Sequence, residues 1–234
     1  MSISYNPGIV TNGLVLCLDA KNLRSYPGTG TNWYDVCSGN IGTMSGVEYA
    51  NGYMIFDGVS DYSIIGNLAS YFPSTATSMF AMVYPTSAGQ IISELGQNAI
   101  NSSWHDANIE ITSAGAFYFS VWHGSLTNRV ISSNVAFNNW YYVGWTFNGT
   151  ANNSSGTLTA YINGISVGTT TLSRNAPYYN NNGLYYGLAS IDTTNMTSSA
   201  YFGGRISTFA VYNTALTSDQ VAQNFNATRG RYGI

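Results

Sequence analysis

Asp57 and Asp61 flank Gly58 in the run Phe56-Asp-Gly-Val-Ser-Asp-Tyr62, which puts two carboxylates in one tight turn between apolar segments. Carboxylates so spaced cap the free amides of a turn or offer oxygens to a hard cation. The two histidines form a second pattern. His105 and His123 each follow a tryptophan, Trp104 and Trp122, and lie equally far from a turn around Ala114. In an unbulged hairpin the imidazoles face each other across the strands. With Asp106 they would make a transition-metal site; otherwise they are sheet-end histidines beside core tryptophans. Cys17 and Cys37 match no zinc spacing and are either a pair or two thiols. Sugar-binding composition is also present, because aromatic faces stack on C–H groups while amides and carboxylates bind hydroxyls. The stretch Tyr178-Tyr-Asn-Asn-Asn182 followed by Tyr185-Tyr186 has it, as does Trp33 with Asp35. The candidate glycan contacts are therefore Tyr178, Tyr179, Asn181, Tyr185, Tyr186, Trp33 and Asp35. The same tyrosines suit a protein interface.

The elements that hold these groups come from a chain of 234 residues that is 44% hydrophobic and 15% aromatic but only 7% charged. Seven basic residues and a net charge of -3 leave too few cations for a nucleic-acid surface. No apolar run reaches the length of a membrane-spanning helix. Nineteen Tyr, ten Phe and five Trp argue for a substantial core. The first ten residues lack a basic segment, and Leu14–Leu18 is too short for a signal-peptide core, so synthesis without a signal peptide is expected. A surface of Asn, Ser, Thr and Gly suits a protein packed into an assembly.

Short alternating runs separated by turn residues predict an all-β chain. The expected strands are Leu14–Leu18, Tyr53–Phe56, Tyr62–Ile65, Ser78–Tyr84, Ile91–Glu94, Asn108–Ile111, Ala116–Trp122, Arg129–Ser132, Trp140–Asn148, Thr157–Ile162, Ser166–Thr171, Gly183–Leu188 and Phe202–Tyr212. That many strands predict two antiparallel sheets packed face to face, as one domain over residues 1–234. Asn163-Gly164 supplies the positive φ angles of a two-residue hairpin, and Ser113-Ala-Gly115 turns a second one. One helix is expected near the end. Thr217 and Gln220 form its capping box, Leu216 staples onto Val221, Ala222 and Phe225 extend the apolar face, and Gly230 terminates it.

The stretches Gly13-Leu-Val-Leu-Cys-Leu-Asp-Ala20, Ser25-Tyr-Pro-Gly-Thr-Gly-Thr-Asn-Trp33, Phe56-Asp-Gly-Val-Ser-Asp-Tyr62, Leu158-Thr-Ala-Tyr-Ile-Asn-Gly164 and Gly204-Arg-Ile-Ser-Thr-Phe-Ala-Val-Tyr-Asn-Thr-Ala-Leu216 resemble laminin-G-like, concanavalin A-like jelly-roll domains. The opening Asn6-Pro-Gly-Ile-Val-Thr-Asn-Gly13 and the ending Asn224-Phe-Asn-Ala-Thr-Arg-Gly-Arg-Tyr-Gly-Ile234 resemble stand-alone versions among the virion proteins of tailed phages, cyanophages included. The resemblance implies a jelly-roll sandwich. It also implies calcium near Asp57 and Asp61, although relatives place another acid where this chain has Ser207 and Thr208. No cofactor is required on this reading. The superfamily includes glucanases, whose chemistry needs two carboxyls flanking the bond. Glu110 has no acid two residues away, and Asp106 is about 13 Å off along an extended strand, so no catalytic residue is expected. The function implied is a non-enzymatic virion structural protein, a capsid decoration protein at the particle surface, contacting other virion proteins and forming a homo-oligomer. The alternative is a glycan-binding adhesin. Neither nucleic acid nor a membrane is an expected partner.

Overall fold

The computed structural model describes residues 8–72, 74–99, 105–121, 128–152, 154–174, 183–189 and 201–234. Among them the chain forms β1 (Leu14–Asp19), β2 (Asn32–Tyr34), β3 (Ile41–Ser45), β4 (Glu48–Ala50), β5 (Tyr53–Asp57), β6 (Tyr62–Ile65), β7 (Thr77–Pro85), β8 (Gly89–Leu95), β9 (His105–Ile111), β10 (Ala116–Phe119), β11 (Val130–Asn134), β12 (Tyr141–Phe147), β13 (Ser155–Ile162), β14 (Ile165–Ser173), β15 (Tyr185–Leu188) and β16 (Gly203–Tyr212). One α-helix follows, α1 (Ser218–Thr228). No described helix is long and apolar enough to cross a membrane.

The strands make two antiparallel sheets, as expected. The first runs β14-β13-β12-β7-β16-β5-β4 and the second β11-β10-β9-β8-β15-β6-β3-β2. β16 organises the first sheet. One of its edges pairs with β7, and its other edge is shared. Gly203–Ile206 take β5, and Thr208–Tyr212 take β1. Between the sheets lies the main core, where Trp33, Phe56, Phe117, Trp145, Phe147, Phe202 and Phe209 are fully or almost fully buried. Burial of each such side chain stabilises the fold by about 1.5–3 kcal/mol. A second apolar cluster covers the outer face of the first sheet, where Phe80, Tyr142, Tyr161 and Tyr212 meet Leu216 and Val221. Gly144 makes this packing feasible. A Cβ there would lie 2.2 Å from both the Met79 carbonyl and the Phe80 ring.

Local signals behave as their physics predicts. Asn163 (φ 51°) and Gly164 (φ 76°) turn β13 into β14, with Ile162 opposite Ile165. The second hairpin keeps its unbulged register, Phe117 opposite Ile111 and Phe119 opposite Ile109. The capping box of α1 is present in both directions, Thr217 Oγ1 accepting from the Gln220 amide and Gln220 Oε1 from the Thr217 amide. The far end differs. Instead of stopping on a left-handed Gly230, the chain passes from Thr228 into a 3₁₀ turn over Arg229–Arg231. Arg231 then clamps Asp19 with two hydrogen bonds of 2.8 and 2.6 Å, holding the chain against β1. Three strands lay outside the expectation: β2, β3 and β4.

Candidate functional site

Asp57 and Asp61 occupy the turn that leads from β5 into β6, where Gly58 takes φ 76°. Asp57 Oδ1 accepts the amides of Val59, Ser60 and Asp61 at 2.8–3.1 Å, which holds its carboxyl below the usual range. Asp61 Oδ2 accepts the Asp57 amide at 3.0 Å, and burial pushes its carboxyl up. A side chain at Gly46 would collide with Asp61 Oδ1. Asp57 Oδ1 and Asp61 Oδ2 are thus committed to turn amides, while Asp57 Oδ2 meets only the Ser60 hydroxyl at 3.3 Å. A calcium ion here would take most of its six to eight oxygens from backbone carbonyls and water. No group of three or more His, Cys, Asp or Glu that could hold a metal occurs among the described residues. The pair acts as a turn cap, and calcium beside it is an expectation carried by the resemblance alone.

Trp33 and Asp35 leave the candidate glycan set as well. Trp33 is 0% exposed, its indole in the main core. Asp35 is buried and accepts the amides of Cys17, Cys37 and Ser38 and the Ser38 hydroxyl, so it pins the loop after β2 onto β1. That loop brings Cys17 and Cys37 together as free thiols. A hydrogen bond between them and burial push the Cys17 thiol up, and the same bond lowers that of exposed Cys37. Tyr186 is also fully buried, edge-on to Phe209, while Tyr185 packs with Tyr62, Ile64 and Leu95 on the other face of the second sheet. Tyr178, Tyr179, Asn181, Trp104, Trp122 and His123 lie outside the described residues, as does the side chain of His105. The backbone of His105 pairs with Leu95.

The carboxylates are set by a bulge. Between Ile92 and Ser93 the β8–β9 register slips by one residue, which puts Asp106 and Glu110 on opposite faces. Glu110 shares an ion pair of 3.6 Å with Arg129. Asp106 stands opposite Glu94 inside the sandwich, 4% and 0% exposed. Arg174 bridges the two sheets there. Its guanidinium reaches Glu94 at 2.7 Å, the Thr75 carbonyl at 3.0 Å and Thr77 Oγ1 at 2.9 Å. Burial, with the charge of Glu94, drives the Asp106 carboxyl well above the usual range. A cleft of about 270 Å³ lies under α1, lined in part by Cys17, Asp19, Tyr142, Tyr212, Asn224 and Arg231. Its polar groups are already joined: Asn224 accepts the Val10 amide and donates to Tyr212, and Arg231 holds Asp19.

One surface combines aromatic rings with a free cation, and it escaped the sequence reading. Met54 and Phe56 of β5, Val83 of β7 and Ile206 of β16 face the core. Tyr53, Ile55, Tyr84 and Arg205 alternate to the outer face of the first sheet. Ile55 pairs with Arg205 and Arg205 with Tyr84. Trp140 falls beside Tyr84, since the next residue, Tyr141, pairs with Val83. The Trp140 ring centroid lies 5.7 Å from Tyr53, 5.5 Å from Tyr84 and 4.7 Å from Tyr232. Tyr232 is fixed in turn, donating to Ser207 Oγ at 2.7 Å, which donates to the Gly52 carbonyl at 2.6 Å. The Arg205 guanidinium carbon sits over both Tyr53 and Tyr84, 4.8 and 4.6 Å from their centroids. All of these rings are partly exposed. The cluster draws on five stretches far apart in sequence, so only the fold could assemble it. Alternation in Tyr53-Met-Ile-Phe56 and the position of Trp140 before a strand were the signals available.

The comparisons agree with this architecture. A laminin-G-like family model, described as the concanavalin A-like lectin/glucanases superfamily, matches residues 57–222, more than two thirds of the chain. No curated protein matches it in sequence. Among solved structures, Trypanosoma rangeli sialidase with a difluoro-KDN ligand is similar at 12% identity and a TM-score of 0.68, over 95% of this chain and 34% of that one. The same sialidase in complex with sialic acid gives 14% and 0.63, over 97% and 36%. The binding domain of botulinum neurotoxin DC in complex with SialylT gives 16% and 0.60, over 92% and 51%. The chain thus spans about a third of the sialidase and half of the toxin domain. At these identities the likeness is one of fold.

Proposed function

The chain belongs to the concanavalin A-like lectin/glucanases superfamily, and from that premise we propose that it is a non-catalytic carbohydrate-binding domain. The observation that carries this reading is the partly exposed aromatic surface of Trp140, Tyr84 and Tyr53 on the first sheet. Rings of this kind supply apolar faces for sugar C–H groups beside hydroxyls for hydrogen bonding. The fold is also that of a toxin binding domain solved with SialylT. A non-catalytic role is supported by the acids. Glu94 and Asp106 are sealed between the sheets, and Glu110 is engaged by Arg129, so none of them flanks a surface bond as glycoside cleavage requires. Tyr178, Tyr179 and Asn181 are proposed as further contacts on their composition.

The test is retention of the purified chain on an array of neutral and acidic glycans. Trp140→Ala is expected to abolish retention while the far-UV spectrum is kept. Undiminished retention by that variant would remove this face from consideration. A second reading, in which the domain decorates a virion and displays this face outward, is favoured by the charge-poor composition, with seven basic and ten acidic residues in 234. Mass spectrometry of purified particles, followed by immunogold labelling, checks it.

A further inference from the structure

We propose that the aromatic surface selects sugars that carry a carboxylate, and that Arg205 is the residue that reads it. This rests on the carbohydrate-binding reading and specifies its ligand. Three other arginines are matched to acids, Arg129 to Glu110, Arg174 to Glu94 and Arg231 to Asp19, while Arg24 and Arg229 lie exposed, Arg229 over the Phe225 ring. Arg205 is held in place by rings instead, between Tyr53 and Tyr84. Among the described residues no carboxylate lies within ion-pair distance of its guanidinium, and the guanidinium makes no protein hydrogen bond. A guanidinium offers a planar fork of five N–H donors that matches a carboxylate in two parallel hydrogen bonds. The flanking tyrosines remove much of the rotamer freedom that binding would otherwise have to freeze.

The surroundings favour an anion over a second cation. Exposed Lys21 packs its stem at Gly52, next to Tyr53. Asp57 stands on the same face, one pair along from Arg205, but its Oδ1 is taken up by the amides of its own turn. The acid in the cross-strand row, exposed Glu48, pairs with Ile55 and is two strands from Arg205. That is about 10 Å, comparable to the screening length in physiological salt. Trp140 beside Tyr84 supplies the flat apolar wall on which the sugar ring rests. Its presence sets this site apart from a bare anion hole. A ring that bears a carboxylate, as in a uronic acid, satisfies both halves of the surface at once.

The experiment compares retention of the full chain on polygalacturonate, on its fully methyl-esterified form and on a sulfated glucan, beside a wider array of neutral oligosaccharides. The wild type is expected to prefer polygalacturonate to the ester by about tenfold or more, with the preference shrinking as salt rises. Arg205→Gln should bring the two to parity, and Arg205→Lys should keep a weakened preference because charge survives without the fork. Trp140→Ala should lose both. Thermal unfolding of each variant separates a lost contact from a lost fold. Equal retention on acid and ester, an unchanged preference in Arg205→Gln, or equal retention on the sulfated glucan would overturn the carboxylate assignment and leave carbohydrate binding standing. Retention on no glycan at all would overturn both.

Discussion

At the scale of single residues, the most consequential group is one that never meets solvent. Asp106 is enclosed with Glu94 and Arg174, and one guanidinium cannot neutralise two carboxylates. Burial and the charge of Glu94 therefore push the Asp106 carboxyl up and favour its protonated form. A carboxyl whose folded pKa exceeds its unfolded value of about 3.9 contributes stability that is full below that value and lost as pH rises through the folded pKa. Asp106→Asn, a neutral mimic of the protonated acid, removes that dependence. Urea unfolding across a pH series should show the wild type losing stability relative to this variant from about pH 4 upward, the two curves converging below it. Parallel curves would mean that Asp106 is charged in the native state. The chemical character of such residues was readable from their types, but the face each one occupies was not. Asp106 and Glu110 share a parity in the sequence, and a one-residue bulge at Asn108, which has no partner opposite it in β8, separates them. Trp33 and Asp35 looked like a sugar site by composition. The alternation of Asn32, Trp33 and Tyr34 already points the indole to the side opposite its neighbours.

At the scale of elements, what was legible is what closes within a few residues. The Asn163-Gly164 turn, the hairpin around Ser113-Ala114-Gly115 and the capping box of α1 each depend on partners close in the chain, so residue type suffices. β2, β3 and β4 do not. They are three to five residues long, and β3 reads Ile-Gly-Thr-Met-Ser, with little strand preference of its own. It becomes a strand because β6 presents an edge to Gly42–Ser45. The hairpin turn also touches a distant element. A Cβ on Gly164 would stand 3.1 Å from Cβ and Cδ1 of Phe225 in α1, on a backbone of φ 76°. Gly164→Ala should therefore cost about 1–3 kcal/mol. Gly230→Ala, with nothing within 4 Å, should be neutral or stabilise by up to about 1 kcal/mol. Urea midpoints at constant slope compare the two. Equal effects would mean that Gly164 has neither the left-handed backbone nor the Phe225 contact.

At the scale of the whole molecule, the two sheets enclose one core, and α1 with the residues after it closes a second over the outer face of the first sheet. The surface with Trp140 and Arg205 borders that second core through Tyr232, so the last turn of the chain buttresses the proposed ligand face. The same packing joins the two ends of the described chain. Gln223 Nε2 donates to the Gly8 carbonyl at 2.8 Å, Asn224 accepts the Val10 amide at 2.7 Å, and Ile234 packs in the cluster that holds Val10. A fold whose first described residues already bond to its last helix depends little on the particular point at which the polypeptide is opened. A circular permutant that links Ile234 to Gly8 by a short glycine-serine bridge and starts instead at Thr29, in the exposed loop before β2, should fold to the same sandwich. By the same geometry Gly8 and the closing helix lie side by side, so the stretch from Gly8 onward should tolerate being spliced into a surface loop of another protein.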